Sequence, residues 1–117
     1  MNRDLWRHTE GERVWLRRLA ADMTAEDFAK ASGVCRTTLW RFETDQKEVP
    51  PGLPMPGAGC AGRLGHLCAL ARRRSGLGLQ AIEKATGRSR PTVLALEKAG
   101  APEMVAFWRS RGFRFKG

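Results

Sequence analysis

The side chains that most often carry out chemistry are few in this chain and poorly spaced for it. Cys35, Cys60 and Cys68 form no CxxC pair, and His8 and His66 have no partners at ligand spacing. Neither a structural metal nor a disulfide framework is therefore expected. An odd, scattered cysteine count fits a reducing compartment. There is no Ser/His/Asp set, no carboxylate pair in a Gly-rich context and no phosphate-cradling loop, so no catalytic activity and no cofactor are expected. The chain is rich instead in cations, including the run Arg72-Arg73-Arg74, and the chemistry open to fixed cations is the binding of anions.

The distribution of charge says more than its total of +9. Residues 1–49 carry nine Lys/Arg and nine acids, whereas residues 50–117 carry twelve Lys/Arg against Glu83, Glu97 and Glu103 alone. The whole excess sits in the second half, and a field of that kind attracts polyanions and speeds their capture. A hydrophobic fraction of 42% beside 28% charged residues describes a globular chain, not a disordered one. No apolar run approaches the ~20 residues of a membrane span, and the first residues hold no apolar signal core, so no membrane partner is expected.

The elements that must position these cations are given by a repeat. TAEDFAKASGVCRTTLWRFE (24–43) recurs 54 positions later as GLQAIEKATGRSRPTVLALE (78–97). Lys30/Lys84, Ala31/Ala85, Gly33/Gly87, Arg36/Arg90, Thr38/Thr92 and Glu43/Glu97 are identical, and Phe28/Ile82, Ser32/Thr86, Leu39/Val93 and Phe42/Leu96 keep their character. Each copy reads as a short amphipathic helix, a glycine turn and a second short helix. This is the sequence form of a helix-turn-helix, whose second helix suits a DNA major groove.

The predicted fold class is all-α: two small helix-turn-helix units joined by a Pro/Gly-rich linker. Residues 1–11 read as a loosely ordered arm, with Gly11 interrupting any helix before Glu12. Residues 12–43 form the first unit. Trp15, Leu16, Leu19 and Ala20 sit at helical spacing up to Asp22. Thr24 is an N-cap candidate with Asp27 three residues on, and helices are predicted over 25–31 and about 36–43. Residues 44–62, with Pro50, Pro51, Pro54, Pro56 and four glycines, read as a linker. Its nineteen residues would reach roughly 60 Å at about 3.3 Å each. Residues 63–117 form the second unit. A helix built on Leu64, Leu67, Cys68 and Ala71 ends in the arginine run. Helices over about 79–86 and from Pro91 to near Lys98 follow, with Ser89 as N-cap and Gly100 as the stop. In the tail, Met104, Val105, Phe107 and Trp108 favour a last helix stopped by Gly112. The alternation Phe113-Arg114-Phe115-Lys116 would also suit a short strand or an apolar anchor.

Both copies resemble the helix-turn-helix of the phage repressor/Cro-like (Xre-type) transcription factors. The closer match, RLGHLCALARRRSGLGLQAIEKATGRSRPTVLALEKAG, resembles that family's first three helices and the start of its next loop. The other runs from WLRRLAADMTAEDFAKASGV through CRTTLWRFE. The resemblance implies a cytoplasmic regulator of bacterial or phage origin whose partner is double-stranded DNA. It also implies that bases are read from the start of the third helix and one turn further on. In the second unit those positions are Arg90, Pro91, Thr92 and Ala95, and in the first unit Arg36, Thr37 and Arg41. Arg90 could donate a bidentate pair to guanine, whereas Pro91 and Ala95 could meet only thymine methyls. Phosphate partners would be Arg72, Arg73, Arg74, Arg88 and Lys98, with backbone N–H groups near Leu79.

The first unit departs from a DNA reader. It is charge-neutral, and Glu26 and Asp27 open its second helix where a phosphate would approach. Trp40 falls on the outer face, either packing on the first helix or linker or anchoring a protein interface. Trp108, with Phe107, covers either the second core or a dimer seam, and so is a second candidate for an interface. The leading expectation is sequence-specific DNA binding in transcriptional control, with the second unit as main reader and the first as a protein-interaction unit towards a second copy or a partner regulator. The alternative is an antiactivator or adaptor that grips a transcription factor or RNA polymerase without reading DNA.

Overall fold

The structure, a computed structural model, describes residues 2–55 and 63–115. Among them are seven helices and no strand: α1 (Glu10–Ala21), α2 (Ala25–Ser32), α3 (Arg36–Glu43), α4 (Leu64–Ser75), α5 (Leu79–Thr86), α6 (Arg90–Ala99) and α7 (Pro102–Ser110). The all-α class holds. No helix among the described residues is long and apolar enough to cross a membrane. The chain forms two compact units, one of residues 8–55 with α1–α3, the other of residues 2–7 with residues 63–115 and α4–α7.

In both units the second and third helices meet at a glycine in the left-handed region, Gly33 at φ 74° and Gly87 at φ 70°. A Cβ at either position would meet nothing. Glycine is therefore required by the backbone turn, not by a lack of space. The first helix of each unit packs on the third, α1 on α3 and α4 on α6. A second glycine pair makes that approach close: a Cβ on Gly11 would strike the Phe42 carbonyl, and one on Gly65 the Lys98 carbonyl.

The cores follow the same register. In the N-terminal unit Val14, Leu16, Phe28 and Leu39 are buried, and their equivalents 54 positions on, Cys68, Leu70, Ile82 and Val93, fill the C-terminal unit. The C-terminal unit adds α7, which packs on α4 and α6 and contributes Met104 and Trp108. Trp108 is fully buried and meets the Phe107 and Phe113 rings edge-on, with centroids 4.8 and 5.6 Å away. This corrects the expectation that Trp108 belongs to an interface: one ring from α7 and one from the tail pack against it, and none of its surface is left for a partner.

Three boundaries also change. Residues 2–7 are not a loose arm. Leu5 is fully buried, its N–H donates to the Arg114 carbonyl at 2.9 Å, and the Arg114 N–H donates to the Arg3 carbonyl at 2.8 Å, making one parallel bridge. Residues 2–7 thus belong to the C-terminal unit, although α1 follows them in sequence. That helix starts at Glu10, two residues earlier than expected, because Thr9 and Glu12 form a reciprocal capping box that satisfies two terminal N–H groups.

Residues 44–55 are not slack chain either. Asp45, in the left-handed region at φ 59°, accepts from the Thr9 hydroxyl at 2.6 Å and the Gly11 N–H at 2.9 Å. Val49 and Met55 pack on the N-terminal core. The remainder of the expected linker, 56–62 with Cys60, lies outside the described residues. In the tail both readings of the sequence have a place. After α7 and Gly112, Phe113 and Phe115 are buried on either side of exposed Arg114, which makes the bridge to Asp4. Lys116 lies outside the described residues.

Candidate nucleic-acid interface

Ser89 stands at the N-cap of α6, but its hydroxyl makes no cap bond and instead pairs with Thr92 Oγ1 at 2.9 Å. Pro91 stands in the first turn, where its missing N–H would have had no helical partner. Val93 and Glu97 turn inward; Arg90, Pro91, Leu94, Ala95 and Lys98 are exposed. The spacing i, i+1, i+4, i+5, i+8 gathers these five on one helical face. The Arg90 guanidinium leans towards α5, 3.4 Å from Glu83 Oε2. The expected positions Arg90, Pro91 and Ala95 therefore share an outward face. Thr92 is half-buried beside Ser89, and Leu94, which the sequence reading passed over, stands among them at 41% exposure.

The arginine run divides. Arg72 Nε pairs with Glu97 Oε1 at 2.8 Å, and that carboxylate is nearly buried. Arg74 donates to the carbonyls of Asn2, Asp4 and Arg7, tying residues 2–7 to α4. Phosphate contact from Arg72 and Arg74 is corrected on these grounds, since the guanidinium N–H groups already serve the fold. Arg73 is half-buried. Arg88 is half-exposed and sits 3.2 Å from Glu103, and Lys98 is exposed. α5 opens at Gly78 without a side-chain cap and without an acid in its first turn, so the positive end of the helix is open to an anion.

The equivalent face of α3 carries Arg36, Thr37, Trp40 and Arg41, all exposed. Trp40 is 53% exposed and stands 54 positions before Leu94, at the same place in the repeat. The helix ends differ from those of the C-terminal unit. Thr24 Oγ1 accepts from the Asp27 N–H at 3.1 Å, and Glu26 and Asp27 occupy the first turn of α2. Cys35 caps α3: its sulfur accepts from the Thr38 N–H at 3.4 Å and shares a 3.0 Å hydrogen bond with Thr38 Oγ1. Those bonds, the hydroxyl's first, hold the thiol below its ordinary pKa. Cys68 is the reverse, pushed up to about 12 by burial and by the Glu97 charge.

One feature common to both units is not a site. Arg18 Nε meets Glu43 Oε2 at 2.8 Å, as Arg72 meets Glu97, so the repeated glutamate clips each third helix to each first helix. Extending the repeat backwards at the same offset pairs Gly11 with Gly65, Leu16 with Leu70 and Arg18 with Arg72, and that signal could have separated Arg72 from its neighbours. No group of three His, Cys, Asp or Glu able to hold a metal occurs among the described residues. Compared with family models, curated proteins and solved structures, the chain matches none.

Proposed function

We propose that this chain is a sequence-specific DNA-binding transcriptional regulator of the Xre type, with α6 entering the major groove and the N-terminal unit contacting protein. The observation that carries the reading is the outward face of α6, a stripe with a cation at each end. The unit that bears it holds thirteen Lys/Arg among its described residues against Asp4, Glu83, Glu97 and Glu103. Arg90 is the base reader, and Lys98, Arg73 and Arg88, with the open end of α5, are the phosphate contacts. The protein-contact role of the N-terminal unit rests on Trp40, a large aromatic half in water on a unit with seven Lys/Arg and eight acids. No catalytic role or cofactor forms part of the proposal.

The test uses the full chain on duplex DNA. Binding should weaken steeply with salt, each phosphate contact adding about −0.9 to the log–log slope. Arg90→Ala should cost about 1–3 kcal/mol on the preferred site and flatten the preference at one base pair. Lys98→Ala should weaken all sequences alike and lower the slope by about one. Arg36→Ala should leave affinity unchanged. Equal losses from Arg36→Ala and Arg90→Ala would make both units readers, and a chain that binds no duplex would be an adaptor.

A further inference from the structure

The outward stripe of α6 is cationic at its ends and apolar in its middle. Arg90 and Lys98 bracket Pro91, Leu94 and Ala95, and all five are exposed. None of the three middle side chains can donate or accept a hydrogen bond. A surface of this kind, lowered onto base edges, desolvates their polar atoms without replacing the lost bonds. Adenine, guanine and cytosine edges are therefore poor partners for it. Thymine is the exception, because its 5-methyl is the apolar group that a base presents in the major groove. Leu94 decides the matter: Pro91 and Ala95 alone are small and could stand clear of the bases, but an exposed leucine between them extends the apolar surface outward.

The occupant is a polyanion and not an apolar protein patch, because the stripe carries no acid and its unit is strongly cationic. The N-terminal unit makes the contrast. There the equivalent positions hold Thr37, Trp40 and Arg41, a face with donors in place of an apolar floor. Arg90 stands beside the floor with Glu83 3.4 Å away on α5, which restrains the guanidinium at the start of the helix.

Resting on the DNA-binding reading above, we propose that Pro91, Leu94 and Ala95 form a reading surface for pyrimidine 5-methyl groups, so that the preferred site places thymine next to a guanine taken by Arg90. Leu94 is the specificity-determining residue.

The experiment selects preferred duplexes from a random pool with the full chain. It then replaces each thymine in turn by deoxyuridine, which removes the methyl and nothing else. At one or two thymines beside the selected guanine, affinity should fall roughly fourfold, the factor for burying about one CH2 group; elsewhere it should not change. Leu94→Ala should bring the thymine-to-uracil ratio at one position towards one while keeping the salt slope. Leu94→Asn should move the selection at that position towards adenine. The proposal is overturned by selective binding in which no uracil matters, or by an unchanged ratio in Leu94→Ala; both outcomes leave DNA binding standing. It is also overturned if Leu94→Ala alters only self-association, which would make the leucine a protein contact. A wild-type chain that binds no duplex at all overturns this proposal together with the reading beneath it.

Discussion

The two units share a plan and differ in how they treat the ends of their helices. In the N-terminal unit every helix begins on a side-chain cap: Thr9 on α1, Thr24 on α2 and Cys35 on α3. In the C-terminal unit none does; α4, α5, α6 and α7 have Arg63, Gly78, Ser89 and Ala101 at their N-cap positions without a side-chain cap bond. Capping contributes about 1 kcal/mol per helix and occupies N–H groups that an anion would otherwise take. The difference in charge runs the same way, with near-balance in one unit and a large cationic excess in the other. A single helix-turn-helix scaffold thus occurs in two finishes, one closed on itself at its helix starts and one left open. The open one bears the apolar, cation-ended face of α6, and the closed one bears Trp40.

The largest effects should come from the feature the two units share. Arg72→Ala takes the guanidinium away from the nearly buried Glu97 carboxylate, and Arg18→Ala takes it away from Glu43. Each change should cost about 3–5 kcal/mol, because a nearly buried carboxylate loses its guanidinium partner. If the units are separate cooperative bodies, hydrogen exchange will show α4–α7 opening in Arg72→Ala while α1–α3 keep their protection, and the reverse in Arg18→Ala. Uniform loss of protection from either change would break the comparison, since the chain would then unfold as one body.

A somewhat smaller effect tests where the units begin. Leu5→Ala empties a fully buried site and should cost about 2–4 kcal/mol. Although Leu5 lies only five residues before the start of α1 in sequence, the lost protection should appear in α4–α7 and the tail. Fraying confined to α1 would return residues 2–7 to the role of an arm. The same result bears on fragment work, because a piece starting near residue 60 lacks the Leu5 side chain and the carbonyls that hold Arg74.

What could be read from sequence was what is local or repeated. All of α2, α3, α5 and α6 follow from apolar period and the two turn glycines, because the signal lies within some ten residues. The outward positions Arg90, Pro91 and Ala95, like Arg36, Thr37 and Arg41, come from the same register. What was not legible depends on partners distant in the chain. Arg72 and Arg74 look like Arg73 until Glu97 and the carbonyls of residues 2–7 arrive from 25 and about 70 positions away. Leu5 is one apolar residue among polar ones, with no period to announce its burial. Asp45 in a Pro/Gly-flanked stretch gives no sign that it will cap α1. Leu94 was legible in principle, as the equivalent of Trp40 in the repeat.

The smallest effect on stability belongs to Trp40, and it bears most directly on the role of the closed unit. A tryptophan 53% exposed on the outer face of α3 has little packing to lose, so Trp40→Ala should change unfolding free energy by no more than about 0.5 kcal/mol. Trp108→Ala in the other unit should cost about 3–5 kcal/mol. The two tryptophans, alike in sequence as candidates for an interface, are separated by that measurement. With stability unchanged, sedimentation or partner capture becomes interpretable: Trp40→Ala should weaken association while affinity for a single duplex site stays constant. A loss of 2 kcal/mol or more in Trp40→Ala would make it a packing residue and remove the main support for a protein contact there. A loss of duplex affinity with unchanged stability would place α3 in a groove beside α6, and the contrast between an open and a closed unit would no longer divide DNA from protein.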